Sequence, residues 1–131
     1  LPQGRFNNTT DEVIRKYIAD KGRILAVVGL HGNTFKPHTG TKTSVLFLQK
    51  WNEDPKAGPL CKKVDDYPIF FAVSQNSGKD NSGEYIYKKG EDGQPLLDNH
   101  SHMIVDHDLD QIAEGFLAFA KRHKFFFAEE R

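Results

Sequence analysis

The sequence predicts an α/β fold in which a sheet, buried on both faces, is flanked by helices. Three observations carry this. Continuous apolar runs of strand length stand at residues 24–30, 45–48 and 69–73, and runs without polar alternation suit strands covered on both sides. A capped amphipathic segment ends just before the first run. A second amphipathic segment lies near the C-terminus, where Leu109, Ile112, Ala113, Phe116, Leu117 and Ala120 recur at helical spacing.

In chain order, Leu1-Pro2-Gln3-Gly4 reads as the end of a strand, and with no initiator Met the chain is expected to be a truncation. Thr9 and Glu12 have capping-box spacing. Val13, Ile14, Tyr17 and Ile18 then predict a helix over 10–21, which Gly22 stops. A strand ending near Leu1, this helix and the 24–30 strand form a crossover unit. The sheet edge beside 24–30 is expected to be open. Residues 31–42, rich in Gly, Thr, His and Lys, form a polar loop held between two buried strands, a good place for function. Residues 51–66, with Pro55 and Pro59, read as a surface excursion, and 74–83 as a flexible loop. Residues 85–88 and 96–97 flank Glu91-Asp92-Gly93 as a small hairpin. Asp108 caps the last helix. The Phe125-Phe126-Phe127 run either docks on the domain or faces further protein.

Composition narrows the class. The chain has 131 residues with 18 basic and 18 acidic side chains, so it lacks the net positive charge of a dedicated nucleic-acid binder. Any nucleic-acid contact has to come from a local patch or be shared with parts of the protein outside this sequence. A lone cysteine, Cys61, permits no internal disulfide and reads as an inert thiol. No apolar run approaches membrane-spanning length, and no signal-peptide pattern stands out.

Several motifs fail on inspection. Gly40-Thr41-Lys42-Thr43 is not a phosphate loop, because Thr41 rather than Gly precedes Lys42 and a strand follows. Asp54-Pro55 is followed by Lys56 and Ala57, which is ordinary turn chemistry. His100, His102, Asp106, His107 and Asp108 are metal-competent residues without a metal-site spacing. The 31–42 loop is different. Lys36, His38 and Lys42 suit phosphates, and Asn33, Thr39 and Thr41 can donate hydrogen bonds to them. Phe35 is an aromatic in a polar loop, open either to a flipped base or to a neighbouring apolar side chain.

A resemblance then enters on ordered blocks: Leu1-Pro2-Gln3-Gly4-Arg5-Phe6, Ile14-Arg15, Ala26-Val27-Val28-Gly29-Leu30-His31-Gly32-Asn33-Thr34-Phe35, and Thr39-Gly40-Thr41-Lys42-Thr43-Ser44-Val45-Leu46-Phe47-Leu48-Gln49-Lys50. Together these resemble the N6-adenine DNA methylases that serve as modification subunits of type I restriction systems. Val105-Asp106-His107-Asp108-Leu109 and the final helix look like the downstream part of the same family.

The resemblance implies the C-terminal portion of a Rossmann-like class I methyltransferase sheet, mixed, with its last strand antiparallel. It puts Leu1 at the end of the fifth strand, 24–30 on the sixth and 45–48 on the seventh. Residues 1–50 are then the end of the methyltransferase core, and 51–131 a C-terminal extension in the same structural unit. The family's reaction is methyl transfer from S-adenosylmethionine to the amino group of a flipped-out adenine. Its Gly-rich donor turn and its Asn-Pro-Pro-aromatic loop are absent from this sequence, so the chain alone is expected to be inactive. The 31–42 loop would face DNA, with Phe35 stacking on the adenine and Lys36, His38, Thr41 and Lys42 on the DNA side. Arg5, Asn7 and Asn8 would join them at the carboxyl edge of the sheet. The implied partners are DNA and the specificity and restriction subunits, in a prokaryotic cytoplasm, with self-association through an open sheet edge. The alternative from the residues alone is a non-enzymatic α/β module that binds a protein through that edge.

Overall fold

The computed structural model of the chain describes residues 1–7 and 9–129. In order these form α1 (Gly4–Asn7), a 3-10 turn (Thr9–Asp11), α2 (Glu12–Lys21), β1 (Gly22–Gly29), β2 (Ser44–Lys50), β3 (Phe70–Val73), α3 (Leu109–Arg122) and α4 (Phe126–Glu129). The three apolar runs are the three strands, arranged β2-β1-β3. β1 is antiparallel to β2 and parallel to β3. The sheet is thus mixed, and the 45–48 run is antiparallel to the 24–30 run, as expected.

Two expectations about the sheet need correction. The edge beside residues 24–30 is not open, because β3 pairs with β1 from Ala26↔Phe70 to Gly29↔Val73. The outer edges belong to β2 and β3, and the N-terminal residues lie along the first of them. At the start of β2 Leu1 donates to and accepts from Ser44 at 2.9 and 2.7 Å, and Pro2 bridges Thr43 antiparallel. Leu1 therefore lies across β2 from β1, and α2 carries the chain past β2 to reach β1. Nor are all three strands buried on both faces. Leu25, Ala26 and Val28 of β1 are buried, but Val45, Phe47 and Leu48 of β2 and Phe71 and Val73 of β3 are exposed. Two outer strands flank a single inner one, and only one sheet face has a well-packed helix upon it.

That helix is α3. Phe116 lies 6.0 Å from Phe47 and 5.7 Å from Phe70, ring centre to ring centre, and Phe119 lies 5.7 Å from Phe70. Such offset and tilted ring pairs add to the gain from burial alone. Gly115 faces the same ring, 3.4 Å from Phe70 at the position a Cβ would take, which is ordinary packing distance. A bulge between Ile24 and Ala26 inserts Leu25 out of phase with the pleat. Leu25 joins Ala120, Phe125 and Ala128 in the core. The Phe125 run therefore docks on the domain, and α4 folds back over α3. Phe119 contributes a core ring although it stood outside the apolar set read from the sequence.

The ends of α2 also differ from their reading. The capping residue is Asp11, not Thr9, and its side chain makes no cap hydrogen bond. An ion pair competes for it: Asp11 Oδ1 accepts from Arg5 at 2.8 Å. Gly22 does end α2, but in extended rather than left-handed backbone. A glycine is needed there for close approach, as a Cβ would stand 2.9 Å from the Gln49 carbonyl oxygen.

Residues 74–107, expected to contain a flexible loop and one hairpin, form a folded meander. Bridges join Ser77 to His107, Lys79 to Tyr85, Tyr87 to Val105, Lys89 to Pro95 and Leu97 to Met103. The expected hairpin is present around Gly90–Gly93, with Gly93 at φ +77° and Gly90 N–H donating to the Gln94 carbonyl at 2.9 Å. The other turns are built by Asp side chains that bond the backbone beyond them. Asp80 accepts from the Ser82 and Glu84 amides, and Asp98 from those of His100 and His102.

Two further packing features hold the second half of the chain. Arg23 lies between the rings of Tyr67 and Phe125, 5.1 and 5.0 Å from their centres. Cys61 is buried, and desolvation pushes its thiol above the ordinary range against the opposing charge of Arg23.

Asp108 stands at the start of α3, as expected, but its carboxylate reaches across to the end of β3. It accepts from Ser74 Oγ at 2.6 Å and from the Gln75 and Asn76 amides at 2.7 and 3.2 Å. Burial pushes this carboxyl up, and the bonds from Ser74, Gln75 and Asn76 outweigh burial to hold it below its usual value. A carboxyl lowered by folding contributes stability above its unfolded pKa, and that contribution is lost as pH falls through the folded value. Asp108→Ala is therefore expected to cost about 1–3 kcal/mol at neutral pH. The difference from the parent chain should shrink below about pH 4. Urea unfolding of both proteins at pH 7 and pH 3 measures this, and an equal difference at the two pH values would remove the carboxylate as the cause.

Candidate nucleic-acid interface

The candidate site lies where β1 and β3, being parallel, both end at their carboxyl termini. The chain leaving β1 cannot continue into a helix, because β2 returns antiparallel beside it. It forms the 31–42 loop, closed at its base by Leu30 N–H donating to the Thr43 carbonyl at 2.8 Å. The loop builds its own scaffold. Thr34 N–H and Oγ1 both donate to the His31 carbonyl, Asn33 N–H donates to His31 Nδ1, Lys36 N–H to the Asn33 carbonyl, and His38 N–H to that of Phe35. Further along, Thr39 Oγ1 accepts from the Thr41 amide at 3.1 Å and lies 3.1 Å from the Thr41 hydroxyl.

The sequence-expected residues fall into two groups. Phe35, Lys36, His38, Thr41 and Lys42 share this loop. Phe35 is 46% exposed, and among the described residues no aromatic ring or cation stacks on it. His38, Thr41 and Lys42 are exposed. Lys36 is half-buried, and its ammonium donates to the Asn81 carbonyl at 2.9 Å, which leaves two of its three N–H donors for other partners.

Arg5 and Asn7 form the second group, on α1. This segment meets the return arm of the loop through Gln3 N–H, which donates to the Lys42 carbonyl at 3.0 Å. The Arg5 guanidinium itself is bound to the buried Asp11 carboxylate, and the Arg5 carbonyl accepts from Arg15 at 3.0 Å. Asn8 lies outside the described residues.

Sequence reading missed the residues beneath the loop. Asn33, read as a phosphate donor, is 8% exposed, and its Nδ2 reaches the Lys79 carbonyl at 3.3 Å and Asn81 Oδ1 at 3.1 Å. Lys79 and Asn81 lay in a stretch whose Asn, Ser and Gly content signalled flexibility. A finer signal was present: Asp80, Ser82 and Glu84 have the spacing of a side-chain-closed turn.

A separate cavity of about 570 Å³ opens on the α2 side of the sheet, lined by Phe6, Ile14, Ile18, Val27, Leu46 and Phe71 among others. Its lining is mainly apolar, with Gln3, Arg5, Asp11, Arg15 and Ser44 as the polar members, and offers no arrangement of acid, base and nucleophile. Among the described residues no group of His, Cys, Asp and Glu can hold a metal ion, and no helix is long and apolar enough to cross a membrane.

The donor cradle that the sequence resemblance implies also finds no fit. A Gly-rich turn leading from a strand directly into a helix would be needed. Here β1 runs into the 31–42 loop and β3 into the meander, and α2 and α3 follow other segments.

The family model described as N-6 DNA methylase matches residues 2–123. No curated protein and no solved structure matches the chain.

Proposed function

The chain belongs to the N-6 DNA methylase family, and on that premise we propose that it forms the target-base side of an enzyme methylating adenine N6 in DNA. The observation that carries this is the 31–42 loop. It is a polar loop at the carboxyl ends of two parallel strands, with an exposed aromatic beside three basic side chains. Ligands of open α/β sheets bind at that edge. Phosphate contacts position a nucleic acid, while an aromatic face takes an extruded base.

In this reading Phe35 stacks on the flipped adenine. Lys36, His38 and Lys42 meet phosphates, and Thr41 donates a hydrogen bond to one. Arg5 and Asn7 extend the same edge, with Arg5 held by Asp11 until a phosphate competes for it, and Asn8 is assigned to DNA contact from the sequence resemblance alone. Residues 1–50 form the end of the catalytic core and 51–131 an extension packed on it as one unit. S-adenosylmethionine supplies the methyl group in the family's reaction. Because no described turn suits it, its binding is assigned to a segment outside these residues, and the chain alone is inactive. The wider setting is a type I restriction–modification complex in a prokaryotic cytoplasm, with specificity and restriction subunits as partners.

A second reading has one observation in its favour. The outer edge of β2 beyond Ser44 has no partner strand among the described residues, and such an edge templates pairing with another chain. Self-association through β2, or docking of a protein strand there, is the corresponding non-catalytic activity.

Two outcomes test the first reading in the complete enzyme. Phe35→Ala should lower kcat/KM for methylation by roughly 5- to 100-fold, the range for one lost base–aromatic stack, while DNA affinity changes far less. Equal losses in both, or none, would remove the stacking role. Lys42→Ala should reduce the slope of log affinity against log salt by about one contact's worth, ~0.9, with sequence preference unchanged. An unaltered slope in a titration across salt concentrations would take Lys42 off the DNA face.

A further inference from the structure

We infer that the 79–84 turn of the meander is the positioning element of the 31–42 loop. In this assignment Asn33, Lys79, Asn81 and Gly83 fix the direction in which Phe35 and Lys36 are presented. The inference rests on the proposed base-facing role for its functional meaning, but its geometry stands independently.

Three sets of contacts, between segments more than 40 residues apart, converge on this joint. The first is a reciprocal clasp of two lysines. Lys36 Nζ donates to the Asn81 carbonyl, and Lys79 Nζ donates to the Lys36 carbonyl, both at 2.9 Å. The second is Asn33, whose buried amide spans the Lys79 carbonyl and Asn81 Oδ1. The third is a backbone-to-backbone approach. Gly83 sits at φ +94°, and a Cβ there would stand 2.6 Å from Pro37 N and 2.8 Å from Lys36 C. No side chain fits that gap, so the turn bears directly on the residues after Phe35.

A brace is useful only if it is itself anchored, and this one is. Asp80 Oδ1 closes the turn on Ser82 and Glu84. Ile86 N–H donates to the Gly78 carbonyl at 2.8 Å, and Ser77 bridges His107. The next residue, Asp108, is tied to Ser74, Gln75 and Asn76. A continuous path of short bonds thus runs from the start of α3 to the tip of the loop. Lys79 is further fixed over the Tyr85 ring, 5.2 Å from its centre. Holding a contact loop in its working geometry before the ligand arrives removes the ordering cost from binding and catalysis. This gives residues 79–84 a role beyond that of the flexible loop expected from their composition.

The test compares Asn81→Leu, Asn81→Asp and Gly83→Ala in the intact protein. Asn81→Asp keeps the oxygen that accepts from Asn33, and Asn81→Leu removes it. Hydrogen exchange of peptides covering residues 34–39 is read against peptides from β1 and β2, alongside kcat and KM for DNA methylation. Asn81→Leu and Gly83→Ala should speed exchange in 34–39 by roughly tenfold, the effect of one buried hydrogen bond. Strand peptides should stay protected, and Asn81→Asp should behave as the parent. Kinetically, the two loosening variants should lose kcat more than they raise KM. Unchanged exchange in 34–39 with Asn81→Leu overturns the inference, as does Asn81→Asp behaving like Asn81→Leu. Faster exchange with undiminished methylation upholds the brace and overturns the base-facing role of the loop. The two readings therefore fail separately.

Discussion

The antiparallel seam between β1 and β2 is the constraint on which the rest is arranged. Parallel neighbours need a long crossover, usually a helix, whereas antiparallel neighbours can be joined by a loop. Because β2 returns beside β1, the residues between them stay at one edge of the sheet. That is also the edge where β3 ends, since β3 runs parallel to β1. Two loops leaving adjacent strand ends are thereby brought within bonding distance. The lysine clasp, the buried Asn33 and the Gly83 contact are all consequences of strand direction. The seam is tight where it begins, at Gly22 against the Gln49 carbonyl, and closes at its other end through Leu30 and Thr43.

Cover on the sheet is unequal. One face receives α3 through Phe47, Phe70, Phe116 and Phe119, and α4 seals the end with Phe125 and Ala128. The other receives α2, which leaves Val13, Ile14 and Tyr17 exposed and faces the apolar cavity beside Phe71. An apolar surface of this continuity is unusual for a protein that works alone.

Much of this was legible in the sequence, for physical reasons. Unbroken apolar runs gave strand positions within one or two residues, and the antiparallel pair was implied by the family resemblance, with which a loop rather than a helix between 24–30 and 45–48 agrees. What periodicity cannot supply is partnership. Nothing in residues 69–73 says that they pair with β1, which is why the open edge was assigned to the wrong strand. Local signals also compete. Thr9 and Glu12 have capping spacing, yet Asp11 is the residue taken into the structure because Arg5 reaches it. The site was legible as a loop and a set of residue types. Its underside was not, because Lys79 and Asn81 acquire meaning only through contacts distant in sequence. Composition counts the Asn, Ser and Gly of that stretch as mobile, although short side chains that bond nearby amides also make tight, ordered turns.

The burial of Cys61 has a practical consequence. Thiolate is the nucleophile toward alkylating reagents, and a desolvated thiol with a raised pKa offers little of it near neutrality. The one native sulfhydryl is thus chemically quiet, so a cysteine introduced at exposed His38 would take up a maleimide dye selectively. A fluorophore placed there would report the movement of the loop in real time, with Cys61 left in place.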